Sequence, residues 1–220
     1  MFGELAGLWL AFGVDGFAFT SEVVANGPSN PLYSEVARGG NWLSAYAERP
    51  WIAIAPLMGF VGIAMAVRAR ADCFGNRVGA ILVLDDRIIS TGYNGTPASM
   101  TNCTEGGCSR CSQRDRYTSG RAYDICICVH AEQNTLLAAA RFGIATEGAA
   151  LYSTMRPCFG CTKELLQANI FTIHYLHDWQ YPDAEMQQTY EHLQAQFSGG
   201  VHVVDVADED ATWAVSRLRE

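Results

Sequence analysis

Two short motifs in this chain bring together side chains that could bind a metal ion and move protons. His130-Ala131-Glu132 lies at the start of one predicted helix, and Pro157-Cys158-Phe159-Gly160-Cys161 lies at the start of another. The dipole at a helix N-terminus favours thiolates, the form of cysteine that binds metals. Cys158, Cys161 and His130 would supply three ligands, which leaves the fourth position of a tetrahedral zinc ion open for water. The sequence therefore predicts a catalytic zinc site in which Glu132 carries protons without coordinating the ion.

The two cysteines taken alone have other interpretations. Cys158 and Cys161 could form a redox dithiol or part of a structural zinc site. The adjacent Glu132 and Pro157 favour the catalytic interpretation, because a structural site needs neither an open position nor a nearby proton carrier.

Residues 94–128 contain a second group of cysteines. This segment is rich in Gly, Ser, Thr and Cys, and it is too long for a plain connection inside a compact domain. Four thiolates, from Cys103, Cys108, Cys111 and either Cys126 or Cys128, would close a structural zinc site and order the segment. A disulfide or free buried thiols are the alternative, which a reducing compartment disfavours.

Composition limits the classes of protein that this chain can be. Its 220 residues include 15 Lys or Arg and 23 Asp or Glu, for a net charge of −8, and 49% are hydrophobic. This composition excludes disorder throughout and disfavours nucleic acid as a partner, because such partners usually require a basic surface. Eight cysteines without a recognisable secretory signal predict a cytoplasmic location. Residues 51–67 carry no charge and approach the length of a membrane span, but their Pro and Gly residues favour a buried helix, and no membrane is expected.

The hydrophobic pattern predicts strands that alternate with helices. Residues 1–48 show no period and form an N-terminal extension, whereas residues 49–220 form one domain. The predicted strands span 78–84, 87–93, 149–154, 170–176 and 201–206, and the predicted helices span 53–71, 130–142, 157–168 and 183–197, with a helical tail after 208. Pro157 is expected in the first turn of its helix, where no backbone donor is required. This alternation predicts an α/β sandwich with helices on both faces of one sheet.

The combination H-x-E and P-C-x-x-C is the signature of zinc-dependent deaminases. Together with NRVGAILVLDDRIISTGYNGTP (76–97), TNCTEGGCSRC (101–111), CICVHAEQN (126–134) and LYSTMRPCFGC (151–161), it makes the chain resemble the deoxycytidylate (dCMP) deaminase family of the cytidine deaminase superfamily. The resemblance implies a three-layer α/β/α sandwich around a mixed sheet of about five strands. It also implies a deaminase domain at 49–220 with a cysteine-rich insert at 94–128.

The same resemblance implies an activity and residue roles. The activity is zinc-dependent hydrolytic removal of the 4-amino group of dCMP, which yields dUMP, the precursor of dTMP, and ammonia. Glu132 would protonate N3 and then the leaving amine, the backbone amide of Ala131 would hold the base carbonyl, and Asn94 would touch the sugar or base. Cys73 stands where family members with such an insert have a cysteine, so six cysteines compete for four places around a structural zinc. A homo-oligomer and regulation by dCTP and dTTP are further expectations.

A nucleotide substrate requires a group that binds its phosphate, and guanidinium groups suit phosphate oxygens. The candidates are Arg77, just before the first strand, and the arginines of the insert at 110, 114, 116 and 121.

Two alternative functions remain open. A deaminase acting on a base in RNA or single-stranded DNA would have to hold a polyanion, which the net charge of −8 disfavours. A zinc-stabilised binding module without catalysis would have no use for Glu132 as a proton carrier.

Overall fold

The computed structural model describes residues 51–113, 116–117 and 122–218, and the extension predicted over residues 1–48 lies outside this range. The described residues form strands β1 Gly79–Leu84, β2 Arg87–Tyr93, β3 Ala150–Met155, β4 Thr172–His177 and β5 Val201–Val203. They also form helices α1 Trp51–Arg68, α2 Ser109–Ser112, α3 Ala131–Arg141, α4 Phe159–Gln167, α5 Ala184–Gln194 and α6 Ala211–Ala214.

The five strands make one mixed sheet in the order β2-β1-β3-β4-β5. Strand β1 pairs antiparallel with β2 and β3, while β3, β4 and β5 run parallel. The predicted hairpin between β1 and β2 turns at Asp85 and Asp86, whose φ angles of 50° and 57° are left-handed, as a tight hairpin turn requires. The structure confirms the predicted mixed sheet of five strands.

Successive residues of β1 pack against different helical layers, because side chains alternate across a strand. Ile81 and Val83 belong to a hydrophobic cluster with Val61 and Ala64 of α1. Ala80 and Leu82 belong to a second cluster, which includes Ala131 of α3, Leu165 of α4 and Tyr190 of α5. Helices therefore cover both faces of the sheet, and the predicted α/β/α sandwich is confirmed.

Helix α1 lies unusually close to the sheet at Gly79. A Cβ atom added to Gly79 would lie 2.2 Å from the Ala64 carbonyl oxygen and 2.4 Å from the Arg68 amide nitrogen. Glycine is therefore required where this helix meets β1. The apolar run of α1 packs on the sheet through Val61 and Ala64, both fully buried. Among the helices of the described residues, none has the length and hydropathy needed to cross a membrane.

A buried ion pair ties the end of α1 to the C-terminal segment. The Arg68 side chain is 1% exposed, and its guanidinium donates two hydrogen bonds, of 2.7 and 2.8 Å, to the carboxylate of Asp208. The ring of His177 lies 2.6 Å from the same carboxylate. Arg68 holds the pKa of Asp208 at about 2, below the usual 3.8, with a further contribution from His177.

The start of α4 differs from the sequence-based expectation. Cys158 is the N-cap residue, with φ −70° and ψ 173°, and the helix begins at Phe159, so Pro157 lies one residue before the cap rather than in the first turn. The carbonyl of Pro157 accepts a hydrogen bond of 2.5 Å from the buried Tyr190 hydroxyl of α5, while the Cys158 carbonyl accepts the first helical bond, from Thr162 N–H. A tertiary contact therefore fixes where this helix begins.

Candidate metal and catalytic site

Two helix starts supply the predicted metal ligands. His130 is the N-cap of α3, with φ −73° and ψ 158°, and its backbone N–H donates a hydrogen bond of 3.0 Å to the side-chain oxygen of Gln133. Cys158 is the N-cap of α4, and Cys161 lies in its first turn. Both helices pack on the same face of the sheet, so their N-termini can present side chains to one point.

The three predicted ligands converge at distances that suit zinc. Nδ1 of His130 lies 3.4 Å from the sulfur of Cys158 and 3.4 Å from that of Cys161, and the two sulfurs are 3.6 Å apart. Bond lengths of about 2.0–2.1 Å to nitrogen and about 2.3 Å to sulfur give tetrahedral edges of about 3.6 Å for N···S and about 3.8 Å for S···S. The donor set therefore fits a zinc ion. In the described residues this set contains three ligands, which leaves a fourth position open.

Glu132 lies beside this set in a buried position. The residue is 4% exposed, and one of its carboxylate oxygens lies 3.7 Å from the sulfur of Cys161. Burial raises the pKa of Glu132 to about 7, against the opposing effect of the nearby His130. A carboxyl group with such a pKa can both accept and donate a proton near neutral pH.

The electrostatics of Cys158 favour its thiolate. The neighbouring Cys161 thiol and the His130 ring hold the pKa of Cys158 well below its usual value, against the effect of burial. The amides at the N-terminus of α4 act in the same direction. This cysteine is therefore prepared for metal binding.

A cleft of about 750 Å³ opens next to the three ligands. Its walls include the aromatic rings of Phe159 and Tyr181 and the ammonium-bearing side chain of Lys163. The rings of Phe159 and Tyr181 are 6.4 Å apart and nearly perpendicular, and the Lys163 nitrogen lies 5.6 Å from the Phe159 ring centroid. A volume of this size accommodates a small organic ligand. Sequence reasoning did not assign Lys163, although its place two residues after Cys161 on the same helix put it near the site.

Two residues predicted to bind substrate have other partners in the structure. The side-chain oxygen of Asn94 accepts a 2.8 Å hydrogen bond from Val78 N–H, and its amide nitrogen donates one of 2.8 Å to the carbonyl of Asn76. Asn94 therefore joins the segments that flank the hairpin of β1 and β2. It is not part of the cleft wall that the described residues form.

Arg77 faces the C-terminal segment. Its guanidinium donates a 2.9 Å hydrogen bond to the carbonyl of Trp213 and lies 4.5 Å from the centroid of that ring. The prediction that Arg77 binds phosphate is therefore not supported by its position, because the group is used to hold α6. Arg110 is buried and Arg116 is exposed, while the other two candidates, at 114 and 121, lie outside the described residues.

Ala131, whose backbone amide is predicted to hold the base carbonyl, begins α3, and that role stays a prediction. It is fully buried as the first residue of α3, where the N–H group has no acceptor within the helix. Its carbonyl accepts a 2.7 Å hydrogen bond from the hydroxyl of Thr135.

Six cysteines form a separate cluster beside the site. The cluster contains two overlapping groups of four cysteines, and within each group all sulfurs lie within 4.8 Å of one another. The groups are Cys73, Cys103, Cys111 and Cys128, and Cys108, Cys111, Cys126 and Cys128. The combination favoured from the sequence, Cys103, Cys108, Cys111 and Cys126, is neither of these groups. The fold brings Cys73, five residues after the end of α1, into the cluster; spacing within the insert could not show this, although the family resemblance had made Cys73 a candidate.

Known proteins with similar sequences include deaminases. Residues 58–177 match the family model for the cytidine and deoxycytidylate deaminase zinc-binding region. A deoxycytidylate deaminase of Schizosaccharomyces pombe is 41% identical over 116 residues, which cover 53% of this chain but only 35% of that relative. A deoxycytidylate deaminase of Mycobacterium phage D29 is 39% identical over 124 residues, which cover 53% of this chain and 90% of that relative.

Solved structures similar to this chain include a dCMP deaminase from the cyanophage S-TIM5 in complex with dCMP and dUMP. It has a TM-score of 0.49 and 28% sequence identity, with 66% of this chain and 92% of that chain covered. The segment that matches the family model covers more than half of this chain and contains His130, Glu132, Cys158 and Cys161. The chain therefore belongs to the cytidine and deoxycytidylate deaminase family.

Proposed function

We propose that this protein hydrolyses dCMP to dUMP and ammonia with a catalytic zinc ion. The observation that carries this proposal is the buried carboxyl group of Glu132, 3.7 Å from a sulfur of a three-ligand set that leaves a fourth position open. A hydrolytic deaminase needs both features, since water must be activated and the leaving amine must be protonated. Relatives named deoxycytidylate deaminase support dCMP as the substrate.

His130, Cys158 and Cys161 would hold the catalytic ion. When bound, zinc acts as a Lewis acid that lowers the pKa of water to about 7. Glu132 is the group in the described site that would take one proton from water and pass it to N3, and then take the second proton, from the oxygen added at C4, and pass it to the leaving 4-amino group. Its raised pKa, about 7, makes both transfers accessible near neutral pH.

The cleft suits a small nucleotide better than a polynucleotide. Phe159 and Tyr181 offer aromatic surface to a base, and Lys163 offers a positive charge to a phosphate. A chain of net charge −8 lacks the overall basic character that binding to RNA or DNA requires. The nucleotide monophosphate is therefore favoured over the alternative of a base in a nucleic acid.

The remaining parts of the proposal concern assembly, a structural metal and location. Two large apolar side chains, Leu137 of α3 at 59% exposed and Phe142 at its C-cap at 74% exposed, support a homo-oligomer, because association would remove them from water. The six-cysteine cluster supports a structural zinc, and its reduced thiols support a reducing compartment such as the cytoplasm. Regulation by dCTP and dTTP is proposed from the family resemblance.

The substitution Glu132→Gln tests the proposed function. It keeps the size of the side chain but removes the proton carrier, so turnover of dCMP should fall by about 10²–10⁴-fold or more while zinc content is unchanged. Ammonia release and zinc content are measured on the same sample. Glu191→Gln, an exposed change on α5, is the matched control and should retain full turnover. Turnover by Glu132→Gln equal to that of the control would overturn the mechanism.

The substrate is tested by assaying dCMP, CMP, deoxycytidine and single-stranded oligonucleotides side by side. We expect dCMP to have the highest kcat/KM. Turnover restricted to the oligonucleotides would establish the nucleic-acid alternative, and absence of turnover on all four by zinc-loaded protein would favour the binding module.

A further inference from the structure

The cysteine cluster contains more sulfur atoms than one zinc ion can bind. Its six members come from two parts of the chain: Cys73, five residues after the end of α1, and the insert at 94–128, which contains the other five. Five are 0–6% exposed and Cys126 is intermediate. They form a cluster of their own, apart from the two hydrophobic clusters on the faces of the sheet. A tetrahedral zinc ion takes four thiolates, so one ion would leave two of these sulfurs unused.

The distances between the sulfurs match the edges of tetrahedral zinc–thiolate sites. Cys73 lies 3.8 Å from Cys111, and Cys103 lies 4.0 Å from Cys73. On the other side, Cys126 lies 3.8 Å from Cys108 and 3.6 Å from Cys111. A zinc–sulfur bond of about 2.3 Å requires an edge of about 3.8 Å. Both ends of the cluster therefore have the spacing of a metal site.

Two sulfurs belong to both groups of four. Cys111 and Cys128 are 4.0 Å apart, and each lies within 4.8 Å of every other sulfur in both groups. Two tetrahedra that share one edge use six ligands, two of them in common. The six sulfurs have this arrangement, with Cys111 and Cys128 as the shared edge.

We propose that the cluster binds two zinc ions, bridged by the thiolates of Cys111 and Cys128. Cys73 and Cys103 complete the ligands of one ion, and Cys108 and Cys126 complete those of the other. Loading releases six protons, and the six thiolates and two Zn²⁺ ions leave a net charge of −2. This proposal goes beyond the single structural zinc expected from the sequence, and it does not depend on the substrate of the enzyme.

Other uses of the six cysteines fit less well. The sulfurs of Cys111 and Cys126 are 3.6 Å apart, far beyond the roughly 2.05 Å of a disulfide bond. Cys103, Cys108 and Cys111 have the C-x₄-C-x₂-C spacing found in some [2Fe–2S] proteins. In such clusters, however, inorganic sulfide bridges the metals, whereas protein sulfurs occupy the shared edge in this chain. Cys103 and Cys108 also belong to different groups.

The cysteine cluster lies next to the candidate active site. Cys128 is two residues before His130, and both Cys126 and Cys128 line the cleft of the candidate active site. The metal ions would therefore fix the backbone from which the histidine ligand extends, in addition to ordering the insert.

Metal analysis of the full chain, purified in reduced form with zinc, is the first test. We expect three zinc ions per chain: one at His130, Cys158 and Cys161, and two in the cluster. The double substitution Cys158→Ser with Cys161→Ser should lower the content to two, which separates the two sites. Two ions per chain in the unsubstituted protein, or iron with acid-labile sulfide, would overturn the proposal.

Replacement of zinc by ¹¹³Cd tests the bridges directly. Two ¹¹³Cd resonances from sites of four sulfurs, split by coupling between the two metals, are expected because a shared thiolate transmits that coupling. Two unsplit resonances, or one, would refute the bridged arrangement. This measurement uses the unsubstituted chain, so it does not depend on whether a cysteine variant folds.

Substitution of single ligands gives the third test. Cys73→Ser removes a ligand of one ion only and should abolish the splitting while at least one resonance from a site of four sulfurs persists. Ser109→Ala, a change of an exposed residue in the insert, is the matched control and should retain three metal ions. Unchanged splitting in Cys73→Ser would contradict the ligand assignment.

Discussion

Gly92 holds the helix that carries the candidate active site against the sheet. A Cβ atom at Gly92 would lie 2.3 Å from the carbonyl oxygen of Ala131, 2.4 Å from the Thr135 hydroxyl and 2.5 Å from the Thr135 amide nitrogen. Favourable contacts between heavy atoms lie near 3.5–4.0 Å, so Gly92→Ala should push α3 about 1 Å away from β2. Because His130 and Glu132 lie at the N-terminus of α3, this shift would move them relative to the two cysteines of α4.

The size of the effect follows from this displacement. A misplacement of about 1 Å can reduce catalysis by about 10²-fold, and overpacking costs about 1–3 kcal/mol of stability. We therefore expect kcat/KM for dCMP to fall by about 10²-fold in Gly92→Ala, measured at full zinc occupancy and below the unfolding transition. Gly62→Ala is the control, because no heavy atom lies within 4 Å of the added Cβ in helix α1. A Gly92→Ala enzyme within about threefold of that control would refute the reasoning.

Two further predictions concern the ion pair that ties α1 to the C-terminal segment. Asp208→Asn should lower the free energy of unfolding by about 3–5 kcal/mol in urea titrations, because it leaves the buried Arg68 guanidinium without its carboxylate. Asp210→Asn should lower the free energy of unfolding by less than about 1 kcal/mol, since that carboxylate is 3.9 Å from Arg68 and 75% exposed. Similar losses in both variants would disprove the conclusion that Asp208 is the main partner of Arg68. The depressed pKa of Asp208 also predicts a pH effect: a contribution of about 2 kcal/mol is present above pH 3.8 and disappears as the pH falls towards 2. Acid titration of stability should therefore show a smaller loss over this range in Asp208→Asn than in the unsubstituted protein.

The cysteine cluster and the active site are connected through a short segment of chain. Cys128 and His130 are separated by one residue, and Gly95 forms an isolated bridge with that residue, Val129. Metal occupancy of the cluster can therefore affect the position of the His130 side chain directly through this backbone, without a rearrangement of the hydrophobic core. The sheet contacts α3 directly through Gly92 of β2.

The sequence predicted the proposed catalytic set, because spacing within each helix start is local and the signature that joins H-x-E to P-C-x-x-C relates the two helices. His130 and Glu132 lie two residues apart at one helix start, and Cys158 and Cys161 lie three apart at another, so their relative positions follow largely from helical geometry. The strands and helices were also predictable to within a few residues, because hydrophobic periodicity and turn residues are local signals.

The partners of Arg77 and Asn94 depend on contacts between segments that are distant in sequence. Arg77 and Asn94 have side chains suited to a nucleotide, yet tertiary contacts with Trp213 and with the backbone of Val78 use those side chains. Cys73 lies thirty residues before Cys103, the first cysteine of the insert; the family resemblance made it a candidate ligand, and folding brings it beside Cys111.

The sequence by itself determined which side chains could bind zinc and carry protons, since that chemistry depends on residue type and close spacing. The tertiary structure decided which partners the remaining polar groups have and how the six cysteine sulfurs divide into two overlapping groups of four. These outcomes depend on contacts between segments far apart in the chain, whose distances are fixed by packing and not by spacing along the sequence.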